Sequence, residues 1–243
     1  MLPIRDENPT VHTPVITYAI IAVNLAVWVF IQGMGAEPTL SNSVCTLGLI
    51  PGELLGRLPS GMEVPVGPGT SCMVGGPNLL APLTSMFTHG SWLHVLGNMW
   101  FLHVFGNNVE DAMGKVRFLA FYLLSGLAAA TAQVLSAPGS AIPMIGASGA
   151  IGGVMGGYVL LYPRAGIQTF VFLGIWARML VLPAFVMLGY WFVLQLLSGA
   201  LAPTEGGGVA FWAHVGGFLA GIALTPLFTN RRLLAEHRAA VGD

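Results

Sequence analysis

The 243-residue chain is 55% hydrophobic and only 8% charged, with a mean hydropathy of +0.77, which excludes an ordinary soluble surface. Its formal net charge is -1 and its nine Lys and Arg are scattered, so no basic stripe exists to neutralise phosphates and a nucleic-acid partner is excluded. What remains is a polytopic protein whose main partner is the lipid bilayer.

In chain order, apolar runs of bilayer length fall at Val15 to Ile31, Trp92 to Phe105, Phe118 to Ser136, Ile145 to Tyr162, Met179 to Leu197 and Val209 to Phe228. The reading is an all-α membrane protein, a six-helix bundle with a long outer loop between its first two helices. The first run exceeds a signal-peptide core and no small-residue cleavage site follows, so it is expected to stay as an anchor. The second run is short and carries His94, Asn98 and His103. A helix facing the bundle interior tolerates such groups, and this one can extend to Glu110. The patch from Phe170 to Trp176 is too brief to span and reads as a cytoplasmic or interfacial connection.

Arg5, Lys115, Arg117, Arg164, Arg178, Arg231, Arg232 and Arg238 fall on one side of these spans and Arg57 alone on the other. Cations are retained in cytoplasmic loops, which puts both termini inside. Residues 1–14 are then a cytoplasmic segment, 15–228 a membrane domain with outer loop 33–91, and 229–243 a cytoplasmic tail. The outer loop holds both cysteines, Cys45 and Cys72. Facing an oxidising exterior they are candidates for a disulfide, with two free thiols as the alternative.

Depth brings four polar residues together. Ser148 lies 14 residues before Tyr162 and His214 lies 14 before Phe228, which at ~1.5 Å rise per residue places both ~21 Å above the cytoplasmic boundary. Counted from Glu110, His94 and Asn98 bracket the same level at ~24 and ~18 Å. Ser148, Gly152 and Gly156 form one stripe of small residues, and His214, Gly217 and Gly221 another, so these faces suit close helix contact.

A serine hydroxyl beside a histidine base, with donors aimed at a developing oxyanion, is the chemistry of acyl transfer. Ser148 follows Pro143 and Gly146 near a helix start, where backbone N–H groups are unpaired. No acid lies between Asp111 and Glu205. Glu205 reads as a solvated loop residue, so the economical arrangement is a Ser-His dyad. No His-Glu-x-x-His and no in-span aspartate occurs, which disfavours zinc and aspartyl intramembrane proteases. A transporter or channel is the leading non-enzyme reading, since mid-depth polar residues also mark permeation routes; it predicts inverted repeats, and none is visible. A module that escorts membrane proteins is the other.

The run His89-Gly90-Ser91-Trp92-Leu93-His94-Val95-Leu96-Gly97-Asn98, the Gly146-Ala147-Ser148-Gly149 motif, and Ala213-His214 with Gly217 and Gly221 together resemble the rhomboid family of intramembrane serine proteases, in its bacterial six-span form. The resemblance is close over roughly residues 80 to 225. It implies Ser148 as nucleophile, His214 as general base and acid, an oxyanion hole from His94, Asn98 and the Ser148 N–H, a structural role for Glu110, and no cofactor or metal. Substrates would be single-span or other membrane proteins, cut within the bacterial inner or plasma membrane from a site facing outward. His89 and His103 are expected to be structural. Two departures stand out. The aromatic that some relatives carry four positions after the serine is Gly152 here, so another group must hold the His214 ring; and the Trp-Arg pair of the first outer loop is missing. Trp191 and Phe192 lie on the family's substrate-entry side and are read as lipid-facing filler.

Overall fold

The computed structural model describes residues 1–67, 69–174, 176–201 and 209–241; Glu205 lies outside them. Helix α1, Val15–Ala26, starts directly after Pro14 and runs on through a π turn, Val27–Ile31. Short helices α2, Thr39–Leu47, α3, Pro51–Leu54, and α4, Ala81–Thr84, follow. The Ser91 hydroxyl accepts the His94 N–H at 3.1 Å to open α5, Trp92–Met113, as an N-cap does. Gly114, at φ +79, ends α5 and lets α6, Lys115–Ser136, begin at once. Helix α7, Ser148–Leu161, stops before Pro163, whose ring forces its predecessor out of the helical region. Helices α8, Ala184–Leu201, α9, Phe211–Phe228, and α10, Arg231–Val241, complete the chain.

Among the described residues α6, α8 and α9 are long and apolar enough to cross a membrane, and α1 with its π turn and α7 are shorter apolar helices. α7 sits centrally against α9, α6 and α5. The core built around it includes Phe105, Phe118, Phe121, Tyr122, Val154, Met155 and Tyr158.

The bundle is mostly helical but not all-α. Strand β1, Leu2–Asp6, pairs antiparallel with β4, Gly166–Leu173, which pairs antiparallel with β5, Trp176–Pro183. The connection expected at Phe170 to Trp176 is thus part of a hairpin. Its aromatic and β-branched residues favour extended chain, and Gly174 at φ +64 lies in its bend. Residues Met179 to Pro183 belong to β5, so α8 starts later than hydropathy alone suggests. Pro183 holds Leu182 extended and α8 begins behind it.

The segment between α1 and α5 is also built rather than loose. A hairpin of β2, Glu63–Gly67, and β3, Thr70–Met73, buries Val64, Cys72 and Val74 against Cys45 and Leu58. A disulfide joins Cys45 on α2 to Cys72 on β3, 27 residues apart. Closing a loop of that length removes unfolded-state entropy worth ~3–4 kcal/mol. Reduction is therefore expected to loosen this hairpin first, seen as faster proteolytic cleavage between residues 55 and 80 while the helices stay protected.

Candidate active site

Ser148 is the first residue of α7, placed there by Gly146, whose φ of +117 turns the chain into the helix. Such a φ favours glycine. The approach segment is pinned to the segment between α1 and α5, with Leu49 and Met144 exchanging backbone hydrogen bonds at 2.9 and 2.7 Å and the Gly146 N–H donating to the Ser85 carbonyl at 2.9 Å. Because Ser148 opens the helix, its N–H belongs to the first turn, whose donors have no helical acceptor.

His214 enters from the first turn of α9, and its Nε2 stands 2.7 Å from Ser148 Oγ. Glycines bring the two helices this close. A Cβ on Gly217 would overlap the Gly149 carbonyl, one on Gly221 the Gly153 carbonyl, and one on Gly156 the Phe218 carbonyl. The tightest partners of Gly217 and Gly221 are thus Gly149 and Gly153, one position along from the stripe expected at Gly152 and Gly156. Gly152 faces His214 itself, where a Cβ would come within 3.1 Å of the His214 carbonyl. Any side chain there would have to push that carbonyl back by a few tenths of an ångström.

The group that replaces the missing aromatic comes from α8. The Trp191 ring lies 5.8 Å from the His214 ring and 6.1 Å from Phe218, and Phe192 stacks on Phe218 at 4.7 Å. The expectation of lipid-facing filler was wrong for both. One turn beyond Trp191, Gln195 Oε1 lies 2.8 Å from His214 Nδ1. Sequence reasoning missed Gln195; the one available signal was an amide in an otherwise apolar stretch, which membrane helices seldom carry without a partner.

His94 and Asn98 on α5 reach the same place. Both line, with Ser148 and His214, a cavity of about 950 Å³ bounded by the segment between α1 and α5 and by α5, α6, α7 and α9. The Gly90 N–H donates to His94 Nδ1 at 3.4 Å, so Nε2 carries the ring proton when the imidazole is neutral. A Cβ on Gly146 would lie 2.6 Å from His94 Nε2 and 3.5 Å from Asn98 Nδ2. Asn98 is buried, and its Nδ2 has no protein partner among the described residues. Two side-chain donors therefore point to the start of α7, where an oxyanion formed by Ser148 attack would need them.

The remaining sequence candidates fall around this centre. His89 is fully buried; its N–H donates to Gln32 Oε1 and its carbonyl accepts from Gln32 Nε2, both at 2.8 Å, while its ring edges against His94 at 5.0 Å. Burial, aided by the neighbouring His94, pushes the His89 imidazole down to about 3, so it stays neutral. His103 is exposed and stacks on Tyr18. Glu110 sits at the far end of α5 and accepts the Ile16 and Thr17 N–H groups at 2.9 and 2.7 Å, capping α1.

A family model, the Rhomboid domain, matches residues 78–231, a stretch that contains all four of these cavity side chains. The chain belongs to the rhomboid family. Within it, this rhomboid is 29% identical over 152 residues to "Rhomboid-like protein 11, chloroplastic" of Arabidopsis thaliana, covering 61% of this chain and 52% of that protein. It is 29% identical over 145 residues to "Rhomboid protein 1, mitochondrial" of Saccharomyces cerevisiae, covering 57% and 38%. Over 88 residues it is 32% identical to "Presenilin-associated rhomboid-like protein A, mitochondrial" of Danio rerio, covering 35% and 23%. The match thus spans about half or less of each relative's length. Rhomboid membership and the apolar helices together make this a multi-pass membrane protein.

Proposed function

We propose that this rhomboid is an intramembrane serine endopeptidase that cuts membrane-protein segments through Ser148 and His214. The observation that carries the reading is the 2.7 Å contact between Ser148 Oγ and His214 Nε2 at a cavity that His94 and Asn98 also line. In the proposed topology six helices cross the bilayer, α1 and α5 to α9; residues 1–14 and 229–243 are cytoplasmic and the cavity opens toward the outer face. This orientation follows the placement of the cations.

In the reaction, His214 Nε2 takes the Ser148 hydroxyl proton as Oγ bonds to the scissile carbonyl carbon. The carbonyl oxygen becomes an oxyanion that accepts from the Ser148 N–H, His94 Nε2–H and Asn98 Nδ2–H. Collapse breaks the C–N bond, and His214 returns the proton to the leaving amine. Water, with its proton drawn by His214, then hydrolyses the Ser148 ester. A substrate helix has its carbonyls in hydrogen bonds, so a segment with helix-breaking or small residues is the substrate class expected.

The test is incubation of the purified chain in liposomes with a model single-span protein. Cleavage is expected from the natural sequence, and Ser148→Ala or His214→Ala should lower its rate by at least ~10³-fold with unchanged folding. A fluorophosphonate probe should label Ser148 and leave Ser148→Ala unlabelled. Equal cleavage by Ser148→Ala would remove the nucleophile assigned here; complete inertness of the natural sequence would favour a binding role.

A further inference from the structure

His214 is held at both ring nitrogens. Among the described residues its ring hydrogen bonds run to Ser148 Oγ at Nε2, 2.7 Å, and to Gln195 Oε1 at Nδ1, 2.8 Å. These two neighbours differ in what they can do. A serine hydroxyl donates or accepts, whereas an amide oxygen only accepts. The Gln195 contact is therefore satisfied only when Nδ1 carries the proton, and that leaves the Nε2 lone pair toward Ser148.

Building on the protease reading above, we propose that Gln195 is a positioning residue for the reaction: its amide oxygen fixes the Nδ1–H tautomer and the orientation of His214, the part that a buried carboxylate plays in a serine triad. The tautomer matters because an imidazole protonated at Nε2 donates to Ser148 Oγ and has no lone pair to receive the serine proton. A neutral amide also suits the location. A carboxylate at this depth would have to be buried without a cationic partner, at a desolvation penalty of several kcal/mol; an amide carries no net charge. The chain has no acid between Asp111 and Glu205, and Gln195 fills the position that this leaves.

The same helix supplies the second support. Trp191 and Gln195 are four residues apart on α8, hence on one face, and Trp191 covers the imidazole that Gln195 holds at its edge. The fully buried residues of α8 are Ala184, Met187 and Leu188, all in its first half. From its middle onward α8 is seated on α9 by the partly buried Trp191, Phe192 and Gln195. The orientation of the base therefore follows the seating of α8.

Two substitutions separate this role from packing. Gln195→Met keeps the length and shape of the side chain and removes the acceptor; Gln195→Glu keeps an acceptor oxygen in place. In liposomes, Gln195→Met should lower kcat roughly 10- to 100-fold, less than loss of the base itself, with KM within about two-fold. Gln195→Glu should keep more of the natural rate than Gln195→Met, because a carboxyl offers Nδ1–H an acceptor oxygen whether or not it is ionised. A packing role predicts the reverse order, with Met tolerated and Glu harmful. Imidazole ¹⁵N shifts in a Ser148→Ala background read the tautomer without turnover, and should show the Nδ1–H form giving way to a mixture on adding Gln195→Met. If the natural sequence cleaves and Gln195→Met matches it in kcat and tautomer, the Gln195 proposal falls alone. If the natural sequence neither cleaves nor takes up the fluorophosphonate, the protease reading falls and takes this role with it.

Discussion

Gly217→Ala is expected to abolish most cleavage while leaving the dyad residues intact. A methyl at position 217 meets the Gly149 carbonyl, a backbone atom one residue from Ser148, so neither a rotamer change nor a flexible side chain can relieve the overlap. α7 and α9 must separate. Overpacking of this kind costs about 1–3 kcal/mol, and a displacement near 1 Å at the reacting atoms lowers rates by ~10²-fold. Gly221→Ala, against the Gly153 carbonyl one turn farther along, should destabilise by a similar amount. It should spare more activity because it pries the helices apart away from Ser148. The control is Gly189→Ala on α8, where a Cβ meets nothing within 4 Å; there the better helix former should be neutral or stabilising by up to ~1 kcal/mol. Thermal unfolding and initial rates of the three variants decide the matter. A Gly217→Ala protein with the natural rate and melting temperature would mean that helix approach at this point does not set the Ser148 to His214 distance.

The same glycines explain how much of the site was legible. Ser148 and His214 could be read because each opens an apolar run and is followed by small residues at helical spacing, a pattern that forecasts both depth and close approach. The register was legible only to within one position, since Gly149, Gly152, Gly153 and Gly156 offer two adjacent stripes and the choice rests on how α6 presses Ala129 and Ser125 against them. Gln195 and Trp191 were not legible as site residues. Aromatics on a membrane helix look alike whether they meet lipid or an imidazole, and one amide sets no periodicity. Hydropathy likewise ran Met179 to Pro183 into α8, because strand and helix residues in that run are equally apolar and only Pro183 marks the change. The N-terminal strand depends on pairing with β4, a contact some 160 residues away in sequence that no local pattern encodes.

Asp111→Ala should unfasten the end of the molecule remote from Ser148. The Asp111 side chain is fully buried at the end of α5 and accepts from the Val11 N–H at 2.8 Å, the His12 N–H at 3.0 Å, His12 Nδ1 at 2.7 Å and His237 Nδ1 at 2.9 Å. His237, itself fully buried, pairs at Nε2 with Asn8 Oδ1 at 2.9 Å and lies against Tyr162. One carboxylate thus joins the N-terminal segment, α5 and α10. Deleting it strands the buried His237 Nδ1 donor and removes three part-buried hydrogen bonds to residues 11 and 12, for which a loss of about 3–5 kcal/mol is expected. Asp111→Asn keeps one acceptor oxygen and should lose less, and His237→Ala, which removes one donor, about 1–3 kcal/mol. Since these groups form one network, the double substitution Asp111→Ala/His237→Ala should cost less than the sum of its parts. Proteolysis of α10 and of residues 1–14 measures the release directly. Ser148 and Tyr158 stand at opposite ends of α7, and Tyr158 touches this cap through Asp6 at 2.8 Å. Freed termini should therefore leave the rate of the surviving folded protein within about three-fold of the natural one, because the α7 to α9 glycine contact holds the dyad independently of the cap. A rate that fell in step with α10 release would instead show that this cap sets the position of Ser148.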